Sequence, residues 1–250
     1  MEIPESIRGK LRQCARAVTF HTGVAEAPIG ILGTSFLVGF RQKGVFLLTA
    51  RHVAPNDESV RRLMIFPRDQ PIESMRIKKW WFVQTTEVES EDVDHEASDL
   101  LIMHIDHERL PEDDRKGSIV MIIDSPQSWF EERHTLQFFL CGYPSIENSV
   151  NYENLSLQTS QIILSGRYQR RDLYSNVSHE LIIENSDSLS DFNGLSGSPV
   201  FCTSSVSARG RHPRFCGIAL RGDANFKSVH FLAAEAIFLP LQKIDLSTGK

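Results

Sequence analysis

The feature that most constrains this chain is a succession of short apolar runs, rich in Val, Ile, Leu and Phe, separated by Gly, Pro, Asn and Asp. Runs of four to eight residues bounded by turn formers are strands, and many in a row predict a sandwich or barrel. In the first half strands are predicted at Ala17–His21, Thr34–Phe40, Gly44–Thr49, Met64–Phe66, Trp80–Gln84, Leu100–His104 and Ile119–Ile123. In the second half they fall at Leu136–Cys141, Leu155–Leu164, Glu180–Glu184, Pro199–Cys202, Phe215–Leu220 and Val229–Ala234. Helical periodicity is scarce. It supports a leading helix over Ser6–Ala17, a second over Ser125–His134, and a terminal turn at Pro240–Leu246. The polar stretch Asp106–Lys116 has no core face and reads as a linker between residues 1–115 and 116–250.

Composition narrows the function. With 250 residues, 41% apolar and 24% charged, the chain can bury a core in one large domain or two small ones. A net charge of −5 argues against sequence-independent binding to nucleic acid, which needs a basic surface. Arg167, Arg170 and Arg171 read as a solvated loop. No run approaches the ~18 apolar residues of a membrane span, and the charged stretch Met1–Arg16 lacks the apolar core of a secretory signal. The expectation is a cytoplasmic protein that binds neither nucleic acid nor membrane. Cys14, Cys141, Cys202 and Cys216 form no CxxC pair, so they read as buried thiols without zinc. Cys202 and Cys216 could face each other across a hairpin.

Three segments carry chemistry. Leu47-Leu48-Thr49-Ala50-Arg51-His52 ends an apolar strand in a histidine. Ala97-Ser98-Asp99-Leu100-Leu101 puts an aspartate at the mouth of a buried strand. Gly194-Leu195-Ser196-Gly197-Ser198-Pro199 presents a serine in a glycine-rich turn. A serine hydroxyl needs a base to take its proton as it attacks a carbonyl. Histidine can accept and return that proton near pH 7, and a carboxylate fixes its tautomer. The oxyanion that follows needs backbone N–H donors, expected from Gly194 and Ser196. Asp94 and Glu96 compete with Asp99, but Asp99 alone directly precedes the apolar run. Ser198 competes with Ser196, but Gly194 and Gly197 frame Ser196.

Taken together, these segments resemble the trypsin/chymotrypsin clan of serine proteases, and its HtrA-like bacterial branch in particular. His52 precedes Asp99 by 47 positions and Asp99 precedes Ser196 by 97, intervals close to those of the family. Gly33-Thr34-Ser35-Phe36-Leu37-Val38 looks like the strand before the family's histidine, and Cys141-Gly142-Tyr143-Pro144 like a turn early in its second barrel. Gly217-Ile218-Ala219-Leu220-Arg221-Gly222 looks like the strand that pairs with substrate. The likeness extends from about Ala17 to Leu241. It implies an all-β fold of two antiparallel six-stranded β-barrels with the active site in the cleft between them. It further implies a serine endopeptidase acting through His52, Asp99 and Ser196, with a protein or peptide substrate and no cofactor or metal.

Departures from the family pattern matter as well. Leu195 stands where zymogen-activated members carry an aspartate, so no activating cleavage is expected, and other contacts or a partner protein must order residues 188–196. No PDZ module like that of HtrA proteins is expected after Leu241. Selective action on one or a few cytoplasmic proteins is expected, and a companion encoded nearby would match bacterial defence proteases. Ser190 is expected at the floor of the specificity pocket, with Asn193, Leu220, Arg221 and Gly222 at its entrance, favouring a small or medium apolar residue before the cut. An α/β-hydrolase needs a helix after the serine and the order Ser, acid, His; subtilisin order begins with aspartate. Neither fits. The remaining alternatives are a silent barrel kept for peptide binding and an enzyme that cleaves only its own chain or its immediate partner.

Overall fold

The computed structural model describes residues 5–40, 43–67, 74–84, 95–109, 112, 121–123, 128–153, 156–187, 189–204 and 213–248. Helix α1 (Glu5–Cys14) leads into β1 (Ala15–His21), β2 (Ile29–Gly39) and β3 (Val45–Ala50). A single helical turn at Arg51–Val53 is followed by α2 (Asp57–Arg61), β4 (Leu63–Met64) and β5 (Ile77–Phe82). Another turn, His95–Ser98, precedes β6 (Leu100–Ile105), and β7 (Met121–Ile122) completes the set. These strands form one seven-stranded sheet in the order β4-β1-β2-β3-β6-β5, with β7 beside β2. Its path does not close on itself as the sequence led one to expect. The two edges nonetheless approach: the Met75 amide, ahead of β5, donates to the Ile65 carbonyl, just past β4, at 2.6 Å.

The second half closes. Strands β8 (Leu136–Gly142), β11 (Ile162–Arg171), β12 (Ser178–Ile183), β13 (Pro199–Ser204), β14 (Arg214–Asp223) and β15 (Ser228–Ala233) form a barrel ordered β11-β12-β15-β14-β13-β8. The run expected as one strand over Leu155–Leu164 divides into β10 (Ser156–Gln158), paired with β9 (Ser149–Asn151), and the start of β11. Closure removes the unpaired strand edge, and Trp129, Phe138, Leu181, Val200 and Phe231 fill the interior.

Burial explains the strand sequences. Phe46–Leu48 and Leu100–Met103 are continuous apolar runs because they lie in the middle of the first sheet, buried on both faces. Their core reaches across to Phe215, Ile218 and Leu220 of the barrel and to helix α3 (Ala234–Lys243). That helix replaces the expected turn at Pro240–Leu246. Proline inside a helix costs about 3 kcal/mol, but Ile237, Phe238 and Leu241 are nearly or fully buried. At ~1.5–3 kcal/mol each, their burial outweighs the proline. The Lys43 ammonium caps the helix end by donating to the carbonyls of Leu241 (3.2 Å), Gln242 (2.7 Å) and Ile244 (2.8 Å).

The described part of the helix expected over Ser125–His134 is a turn, 131–135, held by Thr135 N to Glu132 O at 2.8 Å. Trp129 pulls this stretch into the barrel, with its ring 5.7 Å from Phe138 and 5.6 Å from Phe231. All four cysteines are buried and free, so Cys202 and Cys216 form no disulfide. No helix among the described residues is long and apolar enough to cross a membrane, and no group of three or more His, Cys, Asp or Glu is placed to hold a metal ion.

Candidate active site

Antiparallel pairing brings His52 and Asp99 together. Ala50 at the end of β3 pairs with Leu100 at the start of β6, so the residues just beyond them meet at one end of the sheet. The Arg51 amide donates to the Asp99 carbonyl at 3.3 Å and closes this corner. Both carboxylate oxygens of Asp99 then serve His52. Oδ1 accepts from the His52 main-chain N–H at 2.9 Å, and Oδ2 lies 2.7 Å from Nδ1. The carboxylate is an acceptor, so Nδ1 carries the proton and Nε2 keeps a free lone pair. The imidazole is half exposed, and Asp99 is 25% exposed. The Asp99 hydrogen bond raises the pKa of His52 above the ordinary imidazole value; burial opposes it, and the charges of Asp99 and Glu96 add to the rise.

Ser196 approaches from the barrel. Its turn is fixed by glycines at positive φ, Gly194 at +87° and Gly197 at +90°. A Cβ at Gly194 would lie 2.4 Å from the Tyr143 carbonyl oxygen, and one at Gly197 would lie 1.8 Å from that of Thr34. Only glycine fits at either place. The turn is docked on β2, where the Thr34 amide donates to the Ser196 carbonyl at 3.0 Å. A Cβ at Gly33 would be 3.1 Å from that same carbonyl oxygen and 3.2 Å from Val53, the neighbour of His52. The serine turn and the histidine turn therefore flank one point on β2.

The backbone of the turn is oriented by its carbonyls. Asn193 O accepts from Ser145 N at 2.7 Å. A trans peptide points C=O and N–H in opposite directions, so the Gly194 N–H faces away from Ser145. Among the described residues neither the Gly194 nor the Ser196 N–H has an acceptor, whereas those of Leu195 and Gly197 are bonded to Phe192 O and Ala219 O. Two free donors on alternate residues of a tight turn can hold an anionic oxygen. The Ser196 hydroxyl donates to the Leu220 carbonyl at 2.7 Å and makes no hydrogen bond to His52.

The residues expected around the specificity pocket divide between the surface and the core. Ser190, expected at a floor, is exposed to solvent. Leu189 and Phe192 take the apolar interior, which turns the polar residues between them outward. Asp191 Oδ1 accepts from the Asn193 amide at 2.9 Å. Leu220 is buried, and Gly222 lies against the Phe192 ring, where a Cβ would come within 2.7 Å of Phe192 Cδ2. Arg221 forms ion pairs with Glu96 and with Asp172, the latter at 3.0 Å.

Sequence reasoning missed Thr34, Ser145 and Phe192 as parts of this site. Thr34 left a trace, a hydroxyl in the middle of a strand whose neighbours are all buried. Ser145 and Phe192 left none, since their roles come from main-chain bonding and from chain reversal. Comparison with known proteins gives no family: no protein-family model matches the chain, and no curated protein matches it.

Proposed function

We propose that this chain is a serine endopeptidase of the trypsin-like, two-barrel kind, with His52, Asp99 and Ser196 as its triad. The observation that carries the reading is the double hold of Asp99 on His52, which leaves Nε2 as a base beside a turn that presents a serine and two free amides. In the reaction the Ser196 hydroxyl rotates from Leu220 O toward Nε2 and attacks a peptide carbonyl. Its proton passes to His52 as the carbon–oxygen bond forms. The negative oxygen settles on the amides of Gly194 and Ser196. While the tetrahedral intermediate lasts, the imidazolium is paired with Asp99. The C–N bond then breaks as His52 returns the proton to the leaving amine, giving a free amine, an acyl-serine and a neutral imidazole. Water, deprotonated by His52, then hydrolyses the ester and restores the hydroxyl.

Leu220-Arg221-Gly222 would run beside the substrate backbone, and Phe192 beside Gly222 would favour a small side chain before the cut. Regulation by ordering of the serine turn, rather than by chain cleavage, fits Leu195 at its centre. A fluorophosphonate probe tests the reading: it should label the native chain and neither Ser196→Ala nor His52→Ala. Labelling that survives in Ser196→Ala would overturn it.

One observation favours a second reading. The Ser196 hydroxyl is bonded to Leu220 O and not to His52, as suits a barrel kept for peptide binding without turnover. A native chain that binds peptides and resists the probe would establish it.

A further inference from the structure

Arg221 has no place in the triad chemistry, yet it stands between the two halves of the site. It follows Leu220, whose carbonyl holds the Ser196 hydroxyl. Its guanidinium reaches out of β14 to two carboxylates. One nitrogen is paired with Glu96, on the helical turn three residues before Asp99, and the other lies 3.0 Å from Asp172 Oδ2 at the end of β11. The Asp172 side chain is only 5% exposed and that of Glu96 20%, so neither charge is freely solvated.

The ladder continues along the barrel. Asp172 Oδ2 lies 2.8 Å from His230 Nδ1, His230 Nε2 is 3.8 Å from Glu180, and Glu180 Oε2 is 2.6 Å from Arg170 Nε. Arg221 is thus the rung that joins the first sheet to the charged outer face of the barrel. A planar fork can satisfy two carboxylates at once, which a lysine ammonium on one stem does less well.

We propose that Arg221 is a positioning residue: by bridging Glu96 and Asp172 it fastens the turn that carries Asp99 to the barrel that carries Ser196, and offsets the Glu96 charge felt by His52. The inference rests on the protease reading for its consequence and on the ion pairs for its geometry. The charged groups around His52 are Asp99 in contact, Glu96 on the same turn as Asp99, Arg221 from β14 against Glu96, and Arg51 on its own turn, which stacks on Phe82 at 5.2 Å. Asp172 is tied to this group through its ion pair with Arg221. Glu96 favours the imidazolium, so losing its partner strengthens that effect and losing Glu96 itself removes it.

The test is the proton-NMR titration of the His52 ring in the full chain, its signal assigned by its loss in His52→Ala. Arg221→Met should raise the midpoint by ~0.3–0.5 pH unit and Glu96→Gln should lower it by a similar amount. The double variant should titrate near the Glu96→Gln value, since Arg221 acts on His52 through Glu96. The kcat of Arg221→Met should fall at fixed pH while that of Arg221→Lys falls less. A midpoint that stays put in both single variants overturns the proposal. If Arg221→Met does not fold, Arg221→Lys decides: a midpoint raised part of the way supports the proposal, and one at the native value together with native kcat overturns it. Titration needs no turnover, so opposite shifts in a chain that resists the fluorophosphonate probe keep the coupling and sink the protease reading. Unmoved midpoints in an active enzyme do the reverse.

Discussion

The Thr34 hydroxyl donates to the Gly194 carbonyl at 2.8 Å and accepts from the Tyr143 amide at 2.9 Å, so one buried side chain of the first sheet spans two loops of the barrel. Its main chain adds two more ties, from Thr34 N to Ser196 O at 3.0 Å and from Thr49 Oγ1 to Thr34 O at 2.7 Å. Orientation of the serine turn is therefore set from outside the barrel. Thr34→Val keeps the shape and removes the hydroxyl, leaving a buried carbonyl and a buried amide unpaired. A loss of ~1–3 kcal/mol in urea unfolding is expected. Probe labelling should slow by more than that stability loss explains, since unfolding of a minor fraction cannot slow labelling tenfold. Equal labelling rates in both proteins would separate Thr34 from the turn.

The raised pKa of His52 has a sign in two experiments. As a base His52 must be neutral, so labelling and hydrolysis should rise with pH through a midpoint above the ordinary ~6.5. Asp99→Asn removes the main cause, and the midpoint should fall while the rate drops by about 10⁴-fold at its plateau. For stability the order is opposite. The pair adds stability below the unfolded midpoint and loses it as pH climbs through the folded one. Half exposure of the ring keeps that contribution small. A rate midpoint below 6 in the native chain would contradict the assignment.

Gly197→Ala should be among the most damaging single exchanges. It adds a side chain at φ +90° and drives its Cβ to 1.8 Å from Thr34 O and 2.5 Å from Thr49 Oγ1. Both are main-sheet atoms or tied to them, so nothing nearby can yield cheaply. A cost above ~3 kcal/mol or outright failure to fold is expected, against about 1 kcal/mol for an unstrained surface exchange. Thermal unfolding measures it.

The thiols should be silent in the folded chain. All four cysteines are buried, and burial pushes the Cys14 thiol up to about 12 and raises those of Cys141 and Cys216. An aromatic disulfide reagent at pH 8 should modify none of them until urea is added, and then all four. Fast reaction of one thiol in the native state would reveal an opening that this packing does not provide.

What the sequence made legible depended on the range of the interaction involved. The alternation and punctuation of apolar runs reveal strands because pleating has a local period. Asp99 could be singled out because the Leu100–Met103 run fixes where its strand begins, and antiparallel pairing then carries it to His52. Helix α3 was obscured by Pro240, whose local penalty is overruled by a core that only tertiary packing creates. The same holds for Phe192 and Ser190. Their order along the chain does not say which one turns inward, and the barrel interior takes the aromatic ring. Thr34, Ser145 and Arg221 act through partners more than forty positions away, a separation no local pattern encodes.

Ser198 offers the sharpest control for Ser196. It lies two residues on, in the same motif, and is fully buried, with a hydroxyl that finds no hydrogen-bond partner among the described residues. A buried unpaired hydroxyl costs free energy, on the order of 1–3 kcal/mol by mutational measures. Ser198→Ala removes that cost and leaves only a small gap, so the variant should melt at or slightly above the native temperature. Its main-chain amide still donates to Leu195 O at 2.9 Å, so the shape of the turn should persist. Fluorophosphonate labelling should then proceed at the native rate, in contrast to its loss in Ser196→Ala. Should Ser198→Ala abolish labelling while the fold and Ser196 remain intact, the nucleophile would have to be reassigned and the turn would have to open to expose it.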